Sequence, residues 1–142
     1  MKIFTALECV TDFPDDLVVD GDEIVKPSGK AVAGAISDLL KGAGMITSIP
    51  ELDLEHHSWW FTAAQDGRKY WLLVTDLGGK VLILTKDDSP FWQRLFGGKV
   101  HYVRFLGDLH RLLSQNRRFR SVNWYDIWTR SRLPGEHATK PG

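Results

Sequence analysis

Two segments dense in aromatic and β-branched residues, 58–64 and 69–75, flank Gln65-Asp66-Gly67-Arg68. An Asp-Gly pair between two such runs is a strong hairpin signal, because both central residues of the matching tight turn need positive φ. A third run, Val81 to Thr85, follows Asp76-Leu77-Gly78-Gly79-Lys80. The chain is therefore built around an antiparallel meander. A two-residue turn at Asp66-Gly67 also fixes the register: Trp60 lies opposite Leu73, Phe61 opposite Leu72 and Thr62 opposite Trp71.

The register separates two faces. One carries Trp59, Phe61, Ala63, Tyr70, Leu72 and Val74, joined by Val81 and Ile83 when the second turn is centred on Gly78-Gly79. It is the expected core face. The other carries Trp60, Thr62, Ala64, Lys69, Trp71, Leu73 and Thr75, joined by Leu82 and Leu84, and is too apolar for an ordinary wet face. A patch of Trp60, Trp71, Leu73, Leu82 and Leu84 amounts to several hundred square ångströms, about 25 cal/mol for each, and monomers rarely leave such a patch in water. Something is expected to cover it, either this chain's own helices or a partner.

Around the meander, Lys2 to Val10 reads as a strand broken by Thr11-Asp12-Phe13-Pro14, and Leu17-Val18-Val19 as a further short one. Asp20-Gly21-Asp22-Glu23 reads as a solvated turn, since it lacks the alternating ligands and the twelfth-position glutamate of a calcium loop. Ser28 is expected to cap a helix running to Lys41, with Val32, Ile36, Leu39 and Leu40 at helical spacing and Gly42 and Gly44 at its end. Asp88-Ser89-Pro90 resembles the start of a short apolar helix, with Ser89 as cap and Pro90 in the first turn, holding Phe91, Trp92, Leu95 and Phe96 and stopped by Gly97-Gly98. Val100 to Val103 reads as a fourth strand, and Phe105, Leu106, Leu109, Leu112 and Leu113 as the stripe of a helix from Arg104 to Gln115. The segment from Val122 to Trp128 is too short for its period to separate strand from helix, and residues 131–142 read as a loop-like tail. The expectation is one α+β domain over residues 1–142, an antiparallel meander sheet packed against two or three helices.

With 142 residues the chain can bury a core without a metal or disulfide staple, and its lone cysteine, Cys9, has no partner within it. That usage suits a cytoplasmic location, as does an N-terminus whose apolar stretch ends at Glu8. No apolar run approaches the roughly 20 residues of a membrane span, so no membrane partner is expected. Charge is balanced in total but not in place. Residues 1–66 hold 12 acids against 4 bases, a net of −8, and residues 67–142 hold 14 bases against 6 acids, a net of +8. The halves suit either mutual attraction or a polyanion partner for the second.

Chemistry finds little support. Gly79-Lys80 and Gly98-Lys99 lack both the first glycine and the hydroxyl residue of a phosphate loop, and Gly42-Ala43-Gly44 follows a helix where a dinucleotide fingerprint must follow a strand. Glu51, Asp53, Glu55 and His57 would share one face of an extended segment, but a straight strand spreads same-face ligands about 7 Å apart. The plainer reading is an edge strand with Leu52, Leu54 and His56 inward, leaving a metal-dependent enzyme around Glu55 and His57 as a distant alternative. No nucleophile motif is present; Cys9 reads as a small buried hydrophobe and His110 as a helix-surface residue. No cofactor is expected.

The segment holding Arg117, Arg118, Phe119, Arg120, Trp124, Tyr125, Trp128, Arg130 and Arg132 interleaves cations with rings. That chemistry serves nucleic acid and protein hot spots equally well. The acidic stretch Glu8 to Glu23, seven acids without a base, would compete for it. The leading expectation is a non-catalytic protein-binding or self-associating module, a homodimer for instance. Trp60, Trp71 and Leu73, or Arg117, Arg118, Arg120, Trp124, Tyr125 and Trp128, would meet the partner. A nucleic-acid-binding domain using the C-terminal region is the first alternative.

Overall fold

Strand β1 (Ala6–Thr11) enters the middle of a sheet whose other members arrive much later in the chain. In the computed structural model, which describes residues 3–126, 137–138 and 141, it is followed by a ribbon of β2 (Val18–Asp20) and β3 (Glu23–Lys26). Next come helix α1 (Lys30–Gly42), short strands β4 (Ile46–Thr47) and β5 (Glu51–Asp53), and the long strands β6 (Ser58–Gln65), β7 (Arg68–Asp76) and β8 (Lys80–Asp87). Helices α2 (Phe91–Leu95) and α3 (Gly98–Gln115) precede β9 (Phe119–Tyr125) and β10 (His137–Ala138). The large sheet has the order β10-β9-β1-β8-β7-β6-β4, with β5 also on β6, and every pairing is antiparallel. This is an α+β domain with an antiparallel sheet.

The meander has the register that its turns dictate. Asp66 and Gly67 both have positive φ, 54° and 76°, and Trp60 pairs with Leu73, Phe61 with Leu72 and Thr62 with Trp71. Val74 pairs with Ile83 and Leu73 with Leu84, so the second turn is centred on Gly78-Gly79. From β6, β7 and β8 the core draws only Trp59, Phe61, Ala63, Tyr70, Leu72, Val74, Val81 and Ile83. On these residues α1 lays Val32, Ile36 and Leu40, and α3 lays Phe105, Leu106, Leu109 and Leu113. Both long helices therefore cover the same face.

Several local expectations are corrected. Ser28 does not cap α1; its hydroxyl donates to Asp76 Oδ2 at 2.8 Å. The cap comes from Asp16, whose carboxylate accepts from the Gly29 and Ala31 amides at 2.8 and 3.0 Å. Gly29 itself has φ 116°, and a Cβ there would come within 3.3 Å of the Asp76 side chain, so only glycine fits this junction. Ser89 likewise does not cap α2 but accepts from the Lys69 amide at 3.0 Å, tying the helix start to the sheet. Val100 to Val103 is not a strand: it forms the early turns of α3, where Tyr102 extends the buried stripe, stacking on Tyr70 at 5.6 Å. Four residues of strand-prone type were too few to outweigh that longer helical period. Leu52 and Leu54 are exposed because β5 is only three residues long and the chain turns at once, with His57 at φ 49°. Within the tail expected as loop, residues 137–138 pair with β9, and Pro141 accepts from the Phe4 amide at 3.0 Å.

Candidate functional site: the open face of the sheet

Opposite the helices, the pairings set side chains in rows across the sheet. One row runs Tyr125, Ala6, Leu84, Leu73, Trp60 and Glu51, through β9, β1, β8, β7, β6 and β5. A second runs Asn123, Glu8, Leu82 and Thr75, and a third Lys86, Trp71 and Thr62. Same-face neighbours along a strand stand about 7 Å apart, so Trp71 and Trp60 occupy diagonal positions around Leu73, within reach of an indole. Leu73 is only 5% exposed, although neither long helix lies on this side. Trp60, Trp71, Leu82 and Leu84 are half-buried. The rim is polar: Lys69 and Lys86 at one end, and at the other Glu8, whose Oε1 lies 3.1 Å from Lys80 Nζ.

Tyr125 thus joins the residues of the meander patch, although sequence reasoning assigned it to a different region. The rest of the arginine and aromatic segment is taken apart by the fold. Trp124 alternates to the core face, is fully buried and donates from Nε1 to His110 Nδ1 at 3.1 Å. It has no surface to offer a partner, and His110 is a core-edge acceptor. Arg117 and Arg120 are exposed. Arg118 reaches the acidic segment: Nε lies 3.3 Å from Asp12 Oδ1, and the guanidinium sits 3.6 Å from the Phe13 ring centroid. Phe13 in turn tilts against Phe119 at 5.5 Å. The pairing of Thr11 with Phe119 brings these oppositely charged segments together. Trp128, with Arg130 and Arg132, lies outside the described residues.

The acidic and histidine cluster is dispersed. Glu55 and His57 lie in the turn after β5, and among the described residues no group of three or more His, Cys, Asp or Glu side chains converges as metal ligands would. A cleft of about 460 Å³ borders His56, His57, Asp15 and Asp76. Its carboxylates already have structural partners, since Asp76 Oδ1 accepts from the Gly78 and Gly79 amides, both at 3.0 Å, while Oδ2 accepts from Ser28. Burial pushes the Cys9 thiol up to about 12, with the Glu8 charge adding to the effect, so it stays protonated at neutral pH. No helix among the described residues is long and apolar enough to cross a membrane.

One further apolar surface lies outside both expected partner regions. Helix α2, read only as a short apolar element, leaves Phe91, Trp92, Leu95 and Phe96 exposed. The signal was present: apolar residues at 91, 92, 95 and 96 between Pro90 and Gly97 leave a helix of five residues little length with which to bury them. No protein-family model matches the chain, and neither a curated protein nor a solved structure matches it.

Proposed function

We propose that this chain is a protein-docking module, binding a second copy of itself or another protein through the sheet face centred on Trp60, Leu73 and Trp71. The supporting observation is the placement of both long helices on the opposite face, which leaves two half-buried tryptophans among leucines with a polar rim. An apolar, aromatic centre within a charged margin is the composition of a specific interface. The face spans five long or central strands at about 4.8 Å and three same-face positions at about 7 Å, roughly 500 Å² in projection. Side-chain relief raises that toward the ~800 Å² per partner of a standard complex.

The test is sedimentation of the wild type across a concentration series, alone and with candidate partners, beside Trp71→Asp and Trp60→Ala. Association lost in both variants, with circular dichroism unchanged, supports the reading. Variants that associate like the wild type overturn it, as does a Trp60→Ala protein that no longer folds, since the face would then be internal core. Salt-sensitive retention of oligonucleotides that depends on Arg117 and Arg120 would favour the nucleic-acid alternative instead.

A further inference from the structure

A cleft of about 210 Å³ opens between the β6–β7 hairpin and the first half of α3. Its walls include Asp66, Arg68, Tyr70, His101, Arg104 and Asp108. Two of these are more than nine-tenths buried and chemically unfinished. Tyr70 is 4% exposed, and its ring stacks on Phe105 at 4.1 Å and on Tyr102 at 5.6 Å. The Tyr102 hydroxyl shares a hydrogen bond with Thr85 Oγ1 at 2.7 Å, whereas the Tyr70 hydroxyl has no hydrogen-bond partner among the described residues. Thr11 Oγ1 is the one sealed and unpartnered side-chain atom among those residues, so the Tyr70 hydroxyl reaches open space, and the cleft is the space that Tyr70 borders. Arg68, 7% exposed, donates from Nη1 to the Gln93 carbonyl and from Nη2 to the Phe96 carbonyl, both at 2.7 Å. No carboxylate pairs with its guanidinium among the described residues, and Nε is open by the same reasoning. Burial, with the Asp87 charge adding to it against the opposing charge of Arg68, pushes the Tyr70 pKa up to about 12, so its O–H is an intact donor at neutral pH.

Two donors on buried residues call for an anionic group, yet the more exposed wall carries acids as well as cations. Asp66 and Arg104 are exposed and stand in no ion pair among the described residues, while Asp108 lies 3.6 Å from Arg111. Asp87, the remaining acid near Tyr70, already accepts from the Ser89 amide at 3.0 Å. We propose that the cleft binds a free α-amino acid, its carboxylate directed to the Tyr70 hydroxyl and Arg68 and its ammonium to Asp66 and Asp108. A simple anion would meet the two outer carboxylates, and a simple cation the two arginines. A ligand with both charges close together satisfies each group and leaves none unpaired. The size agrees, because the cleft is smaller than the roughly 300–1,000 Å³ of pockets for drug-sized ligands. Tyr70 belongs to the face covered by the helices, so the proposal does not depend on the docking face.

The test is thermal unfolding and NMR titration of the full chain with each protein amino acid at about 10 mM, beside propionate, propylamine and glucose. The expected result is a saturable rise in the unfolding midpoint with one or a few amino acids, amide shifts concentrated at residues 65–70 and 101–108, and no response to the three other compounds. Tyr70→Phe keeps the ring stack and removes a hydroxyl that bonds nothing in the free protein. It should fold as the wild type and bind the same amino acid about three- to tenfold more weakly. Asp108→Asn, at a half-buried position on α3, should weaken binding by about tenfold or more. Failure of every amino acid to bind overturns the inference. So does equal binding by propionate or propylamine, which would reduce the ligand to a single charge, or by glucose, which would make the cleft a polyol site. Shifts confined to other parts of the chain, or wild-type affinity in both variants, overturn it as well. Should Tyr70→Phe unfold, Asp108→Asn decides, since its side chain lies at the surface.

Discussion

The two faces of the sheet are built from the same strands and nearly the same residue types, yet the chain treats them differently. On one, Phe61, Leu72, Val74 and Ile83 are wholly buried under α1 and α3. On the other, the equivalent central position, Leu73, is shielded without either long helix, while Trp60 and Trp71 beside it stay half-buried. Hydrophobicity alone therefore does not decide which face becomes core. The helices bring stripes that match only one layer, and a two-layer fold leaves the second apolar face to its own side chains or to a partner. Apolar content points to burial; the supply of covering elements decides whether that burial is internal.

The sharpest way to break this contrast is truncation on each side. Phe61→Ala on the helix-covered face removes a ring with no solvent exposure, and should cost about 3–5 kcal/mol in denaturant unfolding. Trp71→Asp on the open face should cost only about 1–2 kcal/mol, because its position is half-buried and water can solvate the new carboxylate. Its main effect should fall on association. Equal losses for the two substitutions would mean that the open face is structural core.

Much of this division was legible in the chain itself. Period-two alternation, together with Asp66-Gly67 and Gly78-Gly79, is local information, and it sufficed to write both faces residue by residue. What escaped was non-local. Asp16 caps a helix from 13 to 15 residues upstream, and no short window shows that Ser28 will turn instead toward Asp76. Arg118 and Phe119 read as a cation beside a ring, but β1 pairs with β9, so the ring enters the core and the cation meets Asp12. Tyr125 stood outside the meander patch for the same reason, because only the position of β1 between β8 and β9 joins the two. Burial depends on that strand order, and strand order is decided by the whole chain.

A smaller perturbation tests how firmly the covering layer is held. Asp16→Ala leaves the Gly29 and Ala31 amides without their carboxylate acceptor, and should cost about 1 kcal/mol, as other cap removals do. Chemical-denaturation midpoints would measure it, and Asp16→Asn should recover part of the loss. If α1 is the element that makes its face dry, amide exchange should quicken along residues 30–42 before it quickens in β7. Uniform quickening would show that helix and sheet open as one unit.

The least effect is expected in the turn between β5 and β6, which belongs to neither face. His56 Nδ1 lies 2.8 Å from Asp53 Oδ2, and Asp53 Oδ1 accepts from the His56 amide at 3.1 Å. The side-chain hydrogen bond, with the carboxylate charge, raises the His56 pKa above its ordinary value and lowers that of Asp53. The histidine contribution is fully present below its unfolded value of about 6.5 and is lost as pH rises through the raised folded value. The aspartate contribution is present above about 4 and is lost as pH falls through the depressed folded value. The pair therefore stabilises most between those limits, and weakly, because solvent screens both groups. Asp53→Asn should return His56 to the ordinary histidine range in an NMR titration while barely moving the unfolding midpoint. An unchanged His56 titration would show that the contact does not persist in solution, and a midpoint shift as large as that of Trp71→Asp would mean that the open-face difference is no larger than what a surface turn supplies.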